Sequence, residues 1–93
     1  MALDPRKMRD IVATANRLRI AATISTDSVS LATVEHVRRC FARSETIKIR
    51  IPTPDRAQFH AAAQRLAEQV PCEIVQRLGR VVTLYRPGEN SDN

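Results

Sequence analysis

Hydrophobic positions near the start of the chain recur every three or four residues. Met8, Ile11, Val12, Ala15 and Leu18 alternate with Arg6, Lys7, Arg9, Arg17 and Arg19. That spacing gathers the apolar side chains into one helical stripe with a basic solvent side. Asp4-Pro5 supplies the helix start, the aspartate as N-cap and the proline at the first helical position, where its missing N–H costs nothing. From Ile20 to Ile24 the run becomes short and largely apolar, which suits a buried strand. Ser25-Thr26-Asp27-Ser28 breaks that run. Ser30 can then cap a second helix, with Leu31, Val34, Val37 and Phe41 inward and His36, Arg38, Arg39 and Arg43 outward.

Thr46 to Ile51 changes period to two. Ile47, Ile49 and Ile51 face one way, and Lys48 and Arg50 the other, predicting a half-buried strand with a basic outer face. Pro52-Thr53-Pro54-Asp55 ends it and opens a third helix, with Thr53 as the expected N-cap and Pro54 at the first position. Arg56 reads as a structural residue that fixes the start of this helix. Phe59, Ala62, Ala63, Leu66 and Val70 form its stripe, and Pro71 stops it. Cys72 to Leu78 and Val81 to Arg86 read as two strands joined at Gly79-Arg80, with Gly79 taking positive φ in a tight hairpin turn. The order is α-β-α-β-α-β-β. Strand-helix-strand units require parallel strands and the last hairpin an antiparallel pair, so the fold class is α/β with a mixed four-stranded sheet packed with helices. Residues 4–87 are expected to form one domain and 88–93 a disordered tail.

Composition narrows the chemistry. The chain has 93 residues, 43% of them hydrophobic and enough for a core without a disulfide or metal staple. With only two glycines, no GxGxxG or GxxxxGK phosphate cradle exists, which removes dinucleotide-binding and P-loop enzymes. Cys40 and Cys72 lack zinc-ligand spacing, and as unpaired thiols they suit a reducing cytoplasm. No apolar run approaches the roughly 20 residues of a membrane span, and the N-terminus does not read as a signal peptide. A cytoplasmic protein is therefore expected. Of the 15 basic residues 13 are arginine, and the net charge of +5 rises to +7 for residues 1–87. That balance fits a polyanion as partner, with the arginine fork suited to phosphate.

Catalysis finds little support in the residues. Nucleophilic chemistry needs a histidine beside a serine or cysteine. His36 and His60 fall on different helices, and only His36 and Cys40, four apart, can be neighbours. Two such groups do not make a zinc site. Asp4, Asp27 and Asp55 are accounted for by caps and turns. No enzyme activity and no cofactor are expected.

Several blocks of the chain resemble the CRM domain (chloroplast RNA splicing and ribosome maturation), which also occurs as a stand-alone bacterial ribosome-associated protein. Leu18-Arg19 stands before the first strand, where the family opens with Leu-Lys/Arg. Thr46-Ile47-Lys48-Ile49-Arg50-Ile51 is similar to the family's LIKVKV strand, with Asp55-Arg56 at its DR position. The most specific block is Val75-Gln76-Arg77-Leu78-Gly79-Arg80, followed by Leu84-Tyr85-Arg86-Pro87, against VQxxGxxxxLYRP. The resemblance implies a fold like the C-terminal domain of bacterial translation initiation factor three. It also implies a GxxG loop that clamps RNA backbone as in KH domains. Here that loop reads Ser25-Thr26-Asp27-Ser28. Side chains at Ser25 and Ser28 restrict close backbone approach and disfavour positive φ, and Asp27 repels phosphate. The hydroxyls of Ser25, Thr26 and Ser28 can still donate to phosphate oxygens.

Residues and resemblance together predict RNA binding through Ser25, Thr26, Ser28, Arg38, Lys48, Arg50, Arg77, Arg80 and Arg86. Only three aromatics are present, two of them on helix stripes, so base-stacking platforms are not expected. Recognition by backbone and shape follows, with structured or ribosomal precursor RNA and pre-ribosomal particles as partners of a monomer. The alternative is a protein-interaction module of the same fold that lost RNA binding along with the GxxG glycines.

Overall fold

The computed structural model describes residues 4–25 and 29–86. Their elements are α1 (Pro5–Ala15), β1 (Ile20–Thr23), α2 (Leu31–Arg43), β2 (Thr46–Arg50), α3 (Arg56–Gln69), β3 (Glu73–Leu78) and β4 (Val81–Tyr85). The sheet order is β1-β2-β4-β3. β1 runs parallel to β2, and β4 is antiparallel to both of its neighbours. The α/β class, the element order and the mixed four-stranded sheet expected from the sequence are all present. The last strand in chain order occupies an interior position, inserted between the two strands that α3 connects.

Local chemistry accounts for the boundaries. Asp4 Oδ1 accepts the Lys7 N–H at 2.8 Å and Pro5 opens α1. Ser30 Oγ accepts the Thr33 N–H at 3.3 Å at the start of α2. The cap of α3 lies two residues later than the sequence suggests. Asp55 Oδ1 accepts from Ala57 N–H at 2.8 Å and from Gln58 N–H at 3.4 Å. Thr53 is buried and shapes the preceding turn, accepting from Asp55 N–H and donating to Gln58 Oε1, both at 3.3 Å. An aspartate wins here because its carboxylate satisfies two of the orphan N–H groups at the positive end of the helix. Gly79 has φ +61°, and no non-glycine residue among those described has positive φ. One positive φ, at the first central position of a two-residue turn, fits type II′ and not type I′.

The sheet carries helices on both faces. Ile47, Ile49 and Ile51 of β2 and its extension, with Val82 and Leu84 of β4, meet Val34, Val37, Phe41, Phe59, Ala63 and Leu66 of α2 and α3 in the main core. Each of the larger side chains, fully removed from water, contributes roughly 1.5–3 kcal/mol. On the opposite face α1 packs across β2, β4 and β3, burying its own Ile11 and Ala15 and leaving Thr46, Thr83 and Tyr85 buried in the sheet.

That packing alters the expected basic outer face of β2. Lys48 is half-buried, and its Nζ donates to the Leu18 carbonyl at 3.2 Å. Arg50, one step beyond on the same face, is exposed. Tyr85 is buried, with Lys7 Nζ 5.6 Å from its ring centroid, so it offers no open face to a base. Both edge strands carry irregular register, β1 between Ile20 and Ala22 and β3 between Ile74 and Gln76.

Candidate nucleic-acid interface

In open α/β sheets ligands gather outside the carboxyl ends of the parallel strands. Here that end of the sheet holds Thr23, Arg50, Val81 and Leu78, which lie in one row across all four strands. Beyond the row come the loop from Ile24 to Ser30, the Pro52–Asp55 turn, the Gly79-Arg80 hairpin turn and the first residues of α2 and α3. Backbone bonds tie these pieces together. Ile24 N–H donates to Arg50 O at 2.9 Å, and Ile51 N–H to Arg80 O at 2.8 Å.

Seven of the nine candidate positions lie among the described residues. Ser25, Arg50, Arg77 and Arg80 all lie at the carboxyl end, Arg50 and Arg77 on opposite faces of the sheet because they pair with the successive β4 residues Val81 and Val82. Thr26 and Ser28, like Asp27, lie outside the described residues, as does the 88–93 tail. Ser25 is exposed and has an interaction partner. Arg38 is exposed midway along α2, and Lys48 lies at mid-sheet under α1. Arg86 is at the other end, where its N–H donates to Glu45 O at 2.9 Å and the residue makes a further interaction.

Two arginines of the carboxyl end have surroundings that the sequence did not suggest. The Arg80 guanidinium is half-buried and donates from Nε to Thr53 O, from Nη2 to Pro54 O at 3.3 Å and from Nη1 to Gly79 O at 3.4 Å. It fastens the hairpin turn to the segment that opens α3, the fixing role read for Arg56. Arg56 is instead exposed, and its side chain has no hydrogen-bond or ion-pair partner among the described residues; the same holds for the side chains of Arg50 and Arg77. A bond spanning 27 residues has no local signal, so sequence spacing could not exchange these two parts. The positive termini of α2 and α3 add partial charge of the same sign at this end.

Apolar groups accompany the charge. Leu31, first residue of α2, is 78% exposed, and Leu78, last of β3, is 68% exposed. Among the described residues no three or more histidine, cysteine or acidic groups gather as a metal site. Nor is any described helix long and apolar enough to cross a membrane. Cys40 and Cys72 are unpaired.

Three helices on the two faces of a β1-β2-β4-β3 sheet, with arginines and helix starts collected at one end, define a small α/β domain of the α-β-α-β-α-β-β class. The chain belongs to the CRS1 / YhbY (CRM) domain family, whose model matches residues 3–86. The fold is also that of a hypothetical protein from Staphylococcus aureus, described as a proposed RNA binding protein and solved in solution. The two share 18% sequence identity at a TM-score of 0.79, with 95% of this chain and 92% of that one covered. No curated protein matches the sequence.

Proposed function

We propose that this chain is a non-catalytic, monomeric, cytoplasmic RNA-binding protein that holds structured RNA, ribosomal precursor RNA in particular, and assists ribosome maturation. The observation that carries the reading is the set of exposed guanidinium groups of Arg50, Arg56 and Arg77, unpartnered among the described residues, at the end of the sheet where α2 and α3 begin. Membership of the CRM family supports the choice of RNA as the polyanion, as does the likeness to a fold neighbour described as a proposed RNA binder. Arg38 extends the same positive field along α2. Lys48 and Arg80 contribute charge from fixed positions, because both already donate to backbone carbonyls. Ser25 and Ser28, where the family has glycine, supply hydroxyls together with Thr26.

Three phosphate contacts at that end give a log–log salt slope near −3 on a duplex. Fluorescence anisotropy with a labelled ribosomal RNA hairpin, from ~50 to ~200 mM salt, reads that slope directly. Reversing charge at Arg50 and Arg77 should weaken binding across sequences and flatten the slope by about two. An unchanged titration curve for that variant removes the carboxyl end from the RNA site.

The second reading is a protein-interaction surface, favoured by Leu31 and Leu78 exposed beside the arginines. Binding that survives the charge reversal but fails in a Leu31→Ser, Leu78→Ser variant would select it.

A further inference from the structure

A cavity of about 340 Å³ opens away from the carboxyl end, where the start of β1, the later turns of α2 and the start of β2 meet. Its floor is apolar and includes Leu18, Cys40 and the buried Ile47. Arg19, Arg39 and Arg43 surround it together with His36, and no acidic side chain lines it. All four are exposed, and none of their side chains has a hydrogen-bond or ion-pair partner among the described residues.

The arrangement follows from helical and strand geometry. His36, Arg39, Cys40 and Arg43 are spaced three and four apart, so α2 presents them along one face. Arg19 arrives from the α1–β1 junction and closes the opposite side. The α2 C-terminus adds about half a negative charge here, which three arginine charges outweigh.

We propose that this cavity is a second binding site, for a nucleoside monophosphate group, supplied as a free nucleotide or as an unpaired nucleotide of an RNA strand. The chemistry asks for both halves of that ligand. An apolar floor does not hold a bare phosphate, and three unpaired guanidinium groups are excessive for an uncharged base. A planar base fits against Leu18 and Ile47 with a guanidinium stacked on its face. The remaining arginine forks bind the phosphate bidentately. The volume lies at the low end of ligand pockets, roughly 300–1,000 Å³, which matches one nucleotide and excludes a long segment.

Chemical-shift titration of the labelled protein with AMP, adenosine, inorganic phosphate and an oligoadenylate tests this assignment. AMP should move the resonances of Arg19, Arg39, Cys40 and Arg43, with adenosine and phosphate each weaker by about tenfold or more, the loss of one charge-assisted hydrogen bond or its apolar counterpart. Movement by the oligoadenylate alone also upholds the site and identifies the strand as its source. An Arg39→Glu, Arg43→Glu variant should lose the effect while keeping its fold, since both positions are exposed. If neither AMP nor the oligoadenylate moves these four residues, the site is refuted. Shifts confined to Arg50, Arg56 and Arg77 would refute it while leaving the RNA reading of the carboxyl end intact, so the two can fail separately.

Discussion

Replacing Arg80 with alanine separates a fastening arginine from a contacting one. Arg80 makes two long-range bonds, to Thr53 O and Pro54 O, and one local bond to Gly79 O. Hydrogen bonds involving a charged group contribute about 1.5–3 kcal/mol when truncated. Water reaches this half-buried site and re-solvates the carbonyls, which puts the total at the lower part of that range, about 2 kcal/mol. For a domain of this size a loss of that kind lowers the melting temperature by roughly 8–16 °C. Arg77→Ala, on an exposed side chain without a partner among the described residues, should stay within about 0.5 kcal/mol of the parent. The expected pattern in thermal and urea unfolding by circular dichroism is therefore a marked loss for Arg80→Ala and almost none for Arg77→Ala. RNA affinity, measured below both transitions, should fall more for Arg77→Ala. Arg80→Lys adds a control, since it keeps the charge but loses the planar fork, and it should melt low while binding RNA nearly as well as the parent. Parent-like melting of Arg80→Ala together with the larger RNA defect would show that the guanidinium contacts a ligand and does not hold the turn.

Gly79→Ala should cost about 1–2 kcal/mol, because φ is +61° there while the space for a Cβ is open, and Gly79→Asn should cost less; urea midpoints check the order. Burial pushes the Cys72 thiol from 9.0 up to about 11, with Arg86 opposing the rise and Glu73 adding to it. At pH 8 it should therefore react with iodoacetamide about a hundredfold more slowly than an unperturbed thiol, as two pH units of thiolate fraction imply. Since the folded value lies above the unfolded one, the stability Cys72 contributes is intact below pH 9.0 and is lost as the pH rises to about 11. The difference in unfolding midpoint between parent and Cys72→Ala should change over that window, and a difference constant from pH 8 to 11 would contradict it. Asp55→Ala removes the acceptor of two N–H groups and should lower stability by about 1 kcal/mol, with Asp55→Ser restoring most of it.

The elements were legible wherever local physics decides them. Alternating Ile47, Ile49 and Ile51 marked β2, Gly79 marked the hairpin, and Asp4-Pro5 and Ser30 marked two helix starts. The order of strands was not legible, because nothing in β4 itself states that it pairs with β2 as well as β3. The helix over the second sheet face was hidden for a different reason. The side chains there include Thr46, Lys48 and Thr83, and a polar, β-branched face reads as solvent-facing until a helix is found upon it. Of the site, the exposure of Arg50 followed from the strand pattern. The bonds Arg80 makes to Thr53 and Pro54 did not, being decided by tertiary contact. His36 and Cys40 were recognisable as neighbours, but Arg19 completes their cavity only through the fold.

The place of β4 has a consequence for how the protein reaches its native state. A nascent chain that has released everything up to Arg80 holds two sheet halves with an unfilled gap between them. Native assembly must therefore await the emergence of Val81–Tyr85. Until then the vacant hydrogen-bonding edges of β2 and β3 stay open to wrong pairing, and chaperone dependence during synthesis should centre on that interval.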